Sequence, residues 1–291
     1  MTGTHRAILA IGFEVLAPFA QNPSPMSWLK TLCGLIALCC MTTVATADEG
    51  SMNIAKTLAP SGHLRAAINF GNPVLAQKDP QTGEPRGVSV ELARELGRRL
   101  GVPVDFVTYD AAGKVFDALR TGAWDVAFLA IDPLRSSEIT FTAPYVIIEG
   151  AYMVPAASPI RANDDVDRAG VRVSVGRGSA YDLYLTRALK SAQLVRVATS
   201  AEAMDALLRD GLDVAAGVKQ PIVAFAKDHA DVRVLPGRFM VIEQAVGIPK
   251  ALADGSDYVR AFVEEMKASG FVAKALAASG QSDATVAPRS K

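Results

Sequence analysis

Apolar residues follow two spacings along this chain, and each spacing predicts one type of secondary structure. Residues 126–131 are apolar without interruption, as expected of a strand that is buried on both faces of a parallel sheet. Residues 88–100 carry apolar side chains at helical spacing with charged side chains between them, and Gly101 follows as a helix stop. Segments of the two kinds alternate, so the pattern predicts βαβ units in an α/β protein.

This alternation occurs twice along the chain. The first set of predicted elements comprises strands at 64–68, 104–107 and 126–131 and helices at 88–100 and 115–119. The second set comprises strands at 171–175, 194–197, 214–216 and 232–235 and helices at 180–189, 203–208 and 222–226. A long apolar segment at 145–154 lies between the two sets, a second one at 241–248 follows the second set as a return crossing, and two helices come after it at 258–268 and 271–278.

These two long apolar segments predict two lobes that are joined by two crossing strands. Lobe 1 is predicted to comprise residues 62–150 and 246–291, and lobe 2 residues 155–240. Hinge crossings are predicted at 151–154 and 241–245. The polar stretch 48–62 carries little pattern, and the tail from Ser279 is predicted to fray.

Residues 1–47 are predicted to lie outside the folded protein. A short positive leader begins at Met26, an apolar run covers residues 32–41, and the small-x-small sequence Ala45–Ala47 ends the segment. The apolar run is too short for a membrane span of about 20 residues, so we predict a secretory signal peptide that is cleaved after Ala47 and a periplasmic protein. Because the signal is complete from Met26, we interpret Met1–Pro25 as an upstream extension.

Composition and charge narrow the classes of function. The 30 basic residues balance 30 acidic ones without any run of like charge, so no nucleic-acid partner is predicted. All three cysteines lie inside the predicted signal peptide, which leaves no disulfide and no thiol nucleophile in the exported chain. The histidines after residue 47, His63 and His229, are far apart, so no metal site is predicted, and no phosphate-binding loop indicates a cofactor.

Five short stretches together carry a resemblance to a known family. They are Leu64–Arg65, Gly87–Ala93, Gly122–Val126, Phe141–Tyr145 and Val171–Ser179. In these stretches and their order the chain resembles the family-3, amino-acid type of periplasmic solute-binding protein that serves ABC transporters. The resemblance covers nearly all of the chain after residue 47 and implies the two-lobed, type II periplasmic-binding-protein fold, which closes on a ligand. It also implies a monomer that delivers a small carboxylate-bearing solute to an ABC permease in the inner membrane.

The resemblance points to two residues that would hold an anion. Arg135 falls on the arginine that grips the ligand's α-carboxylate in this family, and a guanidinium offers parallel donors that match a carboxylate. Ser179 matches a hydroxyl residue at the start of a helix in lobe 2, where free N–H groups favour an anion. Each residue has a structural alternative, because Arg135 can form a surface pair with Glu138 and Ser179 can be an ordinary helix cap.

Other positions depart from the family pattern. Ala130 stands where many members carry a hydroxyl residue, and Val218 stands where an acidic residue holds the ligand's α-ammonium group. The aromatic positions that often sandwich the ligand are Asn72 and Ala112 here. We therefore predict a small carboxylate without a free ammonium group, or a ligand whose cationic part meets Asp132 or Glu149 instead.

The polar candidates near the first two strand ends also have two interpretations. Asn69 and Asn72 would offer amide hydrogen bonds to the ligand, or would serve only the turn before Pro73. Asp132 would contact the ligand, or would cap the short turn at Pro133.

An enzyme is the main alternative, because the fold also resembles that of periplasmic cyclohexadienyl dehydratases. Such a reaction needs a general acid beside the carboxylate clamp, and Glu149 and Glu243, near the two crossings, are candidates. No motif selects either residue, so we predict a binding protein rather than an enzyme. A sensory module that presents its ligand to a receptor is a further alternative, which no motif separates from transport.

Overall fold

One eleven-stranded mixed sheet organises the described part of the chain, which is residues 52–290 of a computed structural model. The predicted signal peptide, the extension before it and the three cysteines lie outside the described residues. Within residues 52–290, no helix combines the length and the apolar character that crossing a membrane requires.

The strands are numbered in chain order, and β2 and β3 form a separate two-stranded sheet. They are β1 (Leu64–Asn69), β2 (Gln77–Lys78), β3 (Pro85–Arg86), β4 (Val104–Tyr109), β5 (Val126–Ala130), β6 (Ile139–Phe141), β7 (Val146–Pro155), β8 (Arg172–Gly176), β9 (Gln193–Val197), β10 (Val214–Val218), β11 (Val232–Val234), β12 (Met240–Pro249) and β13 (Thr285–Val286). The helices are α1 (residues 52–58), α2 (Val88–Leu100), α3 (Ala112–Ala118), α4 (Pro133–Ser136), α5 (Ala180–Ala188), α6 (Ser200–Arg209), α7 (Lys219–Asp228), α8 (Ser256–Ala268) and α9 (Phe271–Ala278).

Lobe 1 is built on the parallel strands β4, β1 and β5. Strand β5 is buried at every position, which agrees with its uninterrupted apolar sequence. Leu92 and Leu96 of α2 and Val263 of α8 belong to one apolar core with the inner strands. The indole N–H of Trp124 donates to the carbonyl of Val115 at 2.9 Å, which ties α3 to the start of β5.

Lobe 2 repeats this plan with the parallel strands β10, β8 and β9. Helix α6 buries Ala203, Ala206 and Leu207. The hydroxyl of Ser174 in β8 donates to the carbonyl of Ala203 at 2.6 Å, so strand and helix are joined by a buried hydrogen bond as well as by apolar packing.

Two antiparallel strands connect the lobes. Residues Val146–Gly150 of β7 pair with Met240–Gln244 of β12. Strand β12 continues beside β5 of lobe 1, and β7 continues beside β10 of lobe 2. The carboxyl ends of β1, β5 and β10 therefore meet around one interlobe cavity.

The prediction that the tail frays after Ser279 is wrong. Strand β13 pairs with β7, and the amide of Ala287 donates to the carbonyl of Tyr145 at 3.1 Å. The buried ammonium of Lys267 donates to the carbonyl of Pro288 at 2.9 Å. Backbone pairing along a crossing strand needs little side-chain pattern, and for that reason the sequence of the tail does not reveal it.

Candidate ligand-binding site

A cavity of about 30 Å³ lies between the lobes, and we call it the inner cavity. Its wall comes from the ends of β1, β5 and β10, from α4, from the start of α5 and from β12. Six of the seven predicted site residues line it, and these are Asn69, Asn72, Ala130, Arg135, Ser179 and Val218. Ala112, predicted less firmly, lines it as well.

Arg135 is held in place by a one-turn helix. Asp132 caps α4 by accepting a hydrogen bond from the amide of Leu134 at 2.8 Å, and Pro133 occupies the first helical position. The side chain of Arg135 is 1% exposed. Its guanidinium donates to the carbonyl of Ala130 in lobe 1 at 2.9 Å and to that of Gly178 in lobe 2 at 2.8 Å, so it contacts both lobes.

The charge of Arg135 has no carboxylate partner among residues 52–290. The predicted alternative, a surface pair with Glu138, does not form there, because Arg135 is buried and its two hydrogen bonds go to carbonyl groups. Its Nε is buried and unbonded within the described chain. Burial lowers the pKa of Arg135 to about 10, with Asp132 opposing the shift, so the group is still cationic at neutral pH. A buried cation with unused donors is a site prepared for an anion.

Asp132 itself is not part of the inner cavity. Its carboxylate caps α4 and lies 2.7 Å from the guanidinium of Arg187. The structure therefore shows the capping role and commits the second oxygen of Asp132 to a protein cation.

Ser179 lies at the start of α5 and is buried. Its hydroxyl oxygen accepts a hydrogen bond from the amide of Asp182 at 3.1 Å, which is the predicted cap. The hydroxyl proton is still available for an acceptor in the cavity, and the first amides of α5 have no intrahelical partner. The capping contact and an anion contact are thus compatible at this residue.

The two asparagines differ in what they contact. The Oδ1 of Asn69 accepts a hydrogen bond from the amide of Gly71 at 2.9 Å, which is turn chemistry. Asn72 is 7% exposed, and its Oδ1 is buried without a hydrogen-bond partner within residues 52–290. A buried unsatisfied acceptor is costly, so Asn72 has an unmet requirement for a donor.

No acidic side chain lines the inner cavity among the described residues. Val218 ends β10 at the wall, and the following Lys219 lies 2.7 Å from Glu149. Glu149 also lies 2.7 Å from Arg238, and these hydrogen bonds lower its pKa. Glu149 is therefore unavailable to a cationic ligand part, contrary to one of the sequence-based expectations.

The two candidate acids for a dehydratase both lie away from the inner cavity. Glu149 is held as a carboxylate between Lys219 and Arg238, which disfavours a role as proton donor. Glu243 is exposed, whereas Ile242 and Gln244 on either side of it line the cavity. Alternation along β12 thus places Glu243 on the opposite face.

Several wall residues were not predicted from the sequence. Tyr181 is buried, and its hydroxyl donates to that of Ser200 at 2.7 Å. Gln244 is 5% exposed and belongs to the crossing strand β12. Period-two alternation in β12 was the available signal for Gln244, while no sequence signal marks Tyr181 or Ser200.

A second space, which we call the outer cavity, adjoins the first and has a volume of about 290 Å³. Gly71, Ser200 and Val218 line both cavities. The remaining wall comes from lobe 1 near the end of β1 and from lobe 2 along α6 and the start of α7, and it includes Phe70, Pro73, Asp110, Thr199, Met204, Pro221 and Ile222.

The lobes touch at a pair of glycines. A Cβ on Gly113 of α3 would lie 2.8 Å from the carbonyl oxygen of Arg177, and a Cβ on Gly178 would lie 2.7 Å from the Cα of Gly113. Gly178 has φ +69°, which also favours glycine there. The close approach brings the carbonyl of Gly178 to Arg135, which itself lines the inner cavity.

One protein-family model matches most of the chain. The model described as bacterial extracellular solute-binding proteins, family 3, matches residues 64–278. The comparison with curated protein sequences found no match.

Three solved structures with this architecture are each less than 25% identical to this chain. A mutant of ArgBP from T. maritima is 22% identical with a TM-score of 0.66, and the match covers 77% of this chain and 99% of that one. An amino acid ABC transporter substrate-binding protein from Streptococcus pneumoniae, bound to L-arginine, is 18% identical with a TM-score of 0.66, covering 80% and 99%. An ancestral amino acid-binding protein, a precursor of cyclohexadienyl dehydratase, is 23% identical with a TM-score of 0.64, covering 77% and 98%.

These likenesses confirm the predicted fold class. The architecture is the two-lobed, type II periplasmic-binding-protein fold, with two βαβ lobes and two crossing strands. At this level of identity they carry the fold alone, so the ligand has to be argued from the cavity wall of this chain.

Proposed function

Because this chain belongs to family 3 of the bacterial extracellular solute-binding proteins, we propose that it captures a small carboxylate between its lobes. The lobes close on the ligand by bending in the crossing segments 151–154 and 241–245. Arg135 grips the carboxylate, and Ser179 with the first amides of α5 offers it further donors.

One observation carries this proposal, namely the buried guanidinium of Arg135 without a carboxylate partner in the described chain. Removing a charge from water without compensation is costly. A ligand carboxylate compensates that charge in the closed cavity, and the resulting charge-assisted hydrogen bonds favour the closed, occupied state.

The ligand of this proposal lacks a free ammonium group. The acidic side chains around the cavity are already paired with protein cations, and Val218 supplies no charge. An ammonium group beside Arg135 would place a second positive charge in the same buried space, and one carboxylate neutralises only one of them.

We propose that the protein acts as a monomer in the periplasm, after cleavage of a signal peptide following Ala47, and delivers its ligand to an ABC permease in the inner membrane. Family membership supports an extracytoplasmic location and a transporter partner. The likeness to a substrate-binding protein of an amino acid ABC transporter supports the same role.

Two measurements test the proposal in sequence. A thermal-shift screen of organic acids, amino acids and amines identifies the ligands that stabilise the protein, because a ligand that binds only the folded state raises its melting temperature. Calorimetry with the best carboxylate then compares Arg135→Ala with the wild type. We expect a loss of at least about 2 kcal/mol, or roughly thirtyfold in Kd, because the variant removes the charge partner of the ligand.

Arg177→Ala is the matched control, since Arg177 lies on the neighbouring turn but is exposed. It removes the same charge without touching the buried contact, and we expect less than about a threefold change in Kd. Equal affinity of Arg135→Ala and the wild type would overturn the proposal. Release of product from prephenate or arogenate would favour the dehydratase alternative, and ligand-dependent binding to a receptor in place of a permease would favour the sensory one.

A further inference from the structure

We propose that the ligand is a carboxylate with a neutral hydrogen-bond donor on the adjacent carbon and an apolar tail, such as an α-hydroxy acid with a branched aliphatic or aromatic group. The carboxylate and the donor occupy the inner cavity and the tail occupies the outer cavity. This inference rests on the proposed function and specifies the class of ligand that the same site takes.

The inner cavity has room for a ligand head and little more. Its volume is about 30 Å³. One water molecule needs roughly 10 to 15 Å³, so the space matches about two to three water-sized groups, such as the two oxygens of a carboxylate and an adjacent hydroxyl. The neighbouring space of about 290 Å³ shares three wall residues with the inner cavity and has room for the rest of a larger ligand.

Asn72 specifies a donor next to the carboxylate. Its Oδ1 is buried in the wall of the inner cavity and has no hydrogen-bond partner among residues 52–290. A ligand hydroxyl that donates to this oxygen removes the cost of leaving the acceptor unpaired. A hydroxyl meets this need without adding charge, whereas an ammonium group would add a second cation beside Arg135.

The outer cavity favours an apolar tail. Phe70 and Pro73 from lobe 1 and Met204, Pro221 and Ile222 from lobe 2 contribute to its wall. Contacts with such side chains exclude water from an apolar group and stabilise it.

The polar members of the outer wall are already engaged by the protein. Asp110 lies 2.8 Å from Lys114, Thr199 accepts a hydrogen bond from the amide of Glu202 at 3.1 Å, and Ser200 accepts one from Tyr181. Asp110 is the one acidic side chain of the described outer wall, and a cationic tail would have to compete with Lys114 for it, whereas an apolar tail meets no such competition.

A set of ligands that differ by one group each tests the inference by calorimetry on the wild-type protein. The set comprises α-hydroxyisocaproate, L-leucine with an ammonium in place of the hydroxyl, isocaproate without it, lactate with the tail shortened, and the amide of the hydroxy acid. We expect α-hydroxyisocaproate to bind at least tenfold more tightly than leucine and lactate. We also expect α-hydroxyisocaproate to bind at least threefold more tightly than isocaproate and at least thirtyfold more tightly than the amide.

Three variants assign these differences to residues. Asn72→Leu removes the unpaired acceptor, so the advantage of α-hydroxyisocaproate over isocaproate should disappear. Met204→Glu places a charge in the outer wall, so the preference for α-hydroxyisocaproate over lactate, measured as the ratio of their Kd values, should fall at least fivefold. Met204→Leu is its control and should keep the ratio.

Val218→Asp supplies the missing acidic group between the two cavities. It should raise the affinity for leucine relative to α-hydroxyisocaproate at least tenfold. Val218→Asn is the control, because an asparagine at this position, which starts α7, caps the helix as an aspartate does but carries no charge.

The outcomes separate this inference from the proposed function. If lactate and α-hydroxyisocaproate bind equally and both depend on Arg135, the apolar tail is wrong and the carboxylate grip stands. If leucine binds as tightly as its hydroxy analogue, the requirement for a neutral donor is wrong. If the amide binds as well as the acid, the proposed function itself fails. If no member of the set stabilises the protein, the ligand class stated here is wrong.

Discussion

The arginines at the two ends of the parallel strands differ in whether they pair with a carboxylate. At the amino ends, Arg65 of β1 meets Asp125, which precedes β5 and is completely buried. Asp125 accepts hydrogen bonds from the amide of Arg65 at 2.9 Å and from its guanidinium at 3.0 and 2.6 Å. At the carboxyl ends, Arg135 is more deeply buried than Arg65 and has no carboxylate in the described chain.

Lobe 2 repeats the arrangement at the amino ends. Arg172 of β8 meets Asp213, which precedes β10, and the backbone amide of Arg172 donates to the Asp213 carboxylate at 2.8 Å. In both lobes the arginine also donates to a glycine carbonyl, that of Gly122 in lobe 1 and that of Gly211 in lobe 2.

The difference teaches which arginine stabilises the fold and which one binds. The hydrogen bonds that Arg65 donates to the Asp125 carboxylate raise the pKa of Arg65, whereas burial lowers that of Arg135. Among residues 52–290, a carboxylate pairs with the arginine that joins two strands, and none pairs with the arginine to which a ligand is expected to bring one. Proteins commonly keep such locally unfavourable arrangements only at functional sites.

The largest expected effect tests the amino-end pair. Asp125→Ala should lower the free energy of unfolding by about 3 kcal/mol, because it leaves the amide and the guanidinium of Arg65 without their acceptor. This value is at the lower end for a buried pair, since the Arg65 side chain is 33% exposed. Urea denaturation followed by circular dichroism measures the change.

Asp213→Ala is the matched control in lobe 2. Its carboxylate accepts hydrogen bonds from the amide and the Nε of Arg172, which are two of the three contacts of Asp125, and its side chain is 40% exposed, so water replaces much of what is lost. We expect Asp213→Ala to lower the free energy of unfolding by about 1 kcal/mol. Equal losses for the two variants would contradict the view that burial gives the Asp125 pair its strength.

The sequence predicted the fold well because the fold depends on local periodicity. The uninterrupted apolar run before Arg135 and the helical spacing in 88–100 identify β5 and α2 without knowledge of their partners. The tail is the instructive failure, since β13 exists only because the backbone of β7 lies next to it. No pattern within the tail records that neighbour.

The site was predictable only where it depends on strand ends. Arg135, Asn72 and Val218 follow or end strands, so their meeting around one cavity is a consequence of parallel topology. Tyr181 and Ser200 lie in the first turns of α5 and α6 in lobe 2, and their contact depends on how these two helices pack, which no sequence spacing encodes. That the Oδ1 of Asn72 has no partner in the described chain is likewise a property of packing, and so the specific requirement for a donor emerges only from the structure.

The second prediction uses pH to distinguish the two arginines, because their pKa values are shifted in opposite directions. Because the pKa of Arg135 in the folded protein is lowered to about 10, its charge is lost as pH rises through that value. Affinity for the best carboxylate should therefore stay level between about pH 6 and pH 9 and fall up to about tenfold for each further unit above pH 10.

Calorimetry across this range gives the affinity, and circular dichroism at each pH shows that the protein is still folded. The amino-end pair should hold throughout, because the pKa of Arg65 is shifted upward by Asp125. A loss of affinity near pH 7 would contradict the assignment, since it would indicate a group that titrates near neutrality in place of Arg135.

The smallest expected effect concerns Gly113, where a glycine in place of a better helix former lets the two lobes approach each other closely. Gly113→Ala should raise the free energy of unfolding of the ligand-free protein by about 0.5 kcal/mol, because alanine is the better helix former and the φ of Gly113 is not positive. The same Cβ would lie 2.8 Å from the carbonyl oxygen of Arg177 and 3.2 Å from the Cα of Gly178, both on lobe 2. Closure would then stop short of the contact between Arg135 and Gly178, and affinity for the best carboxylate should fall about tenfold, or about 1.4 kcal/mol.

Asp117→Ala is the control, since it also adds alanine to α3 but at an exposed position, so it should stabilise the helix with little effect on affinity. Unfolding by urea and calorimetry on both variants measure the two quantities, and a gain in stability without any loss of affinity in Gly113→Ala would show that the two glycines do not limit closure.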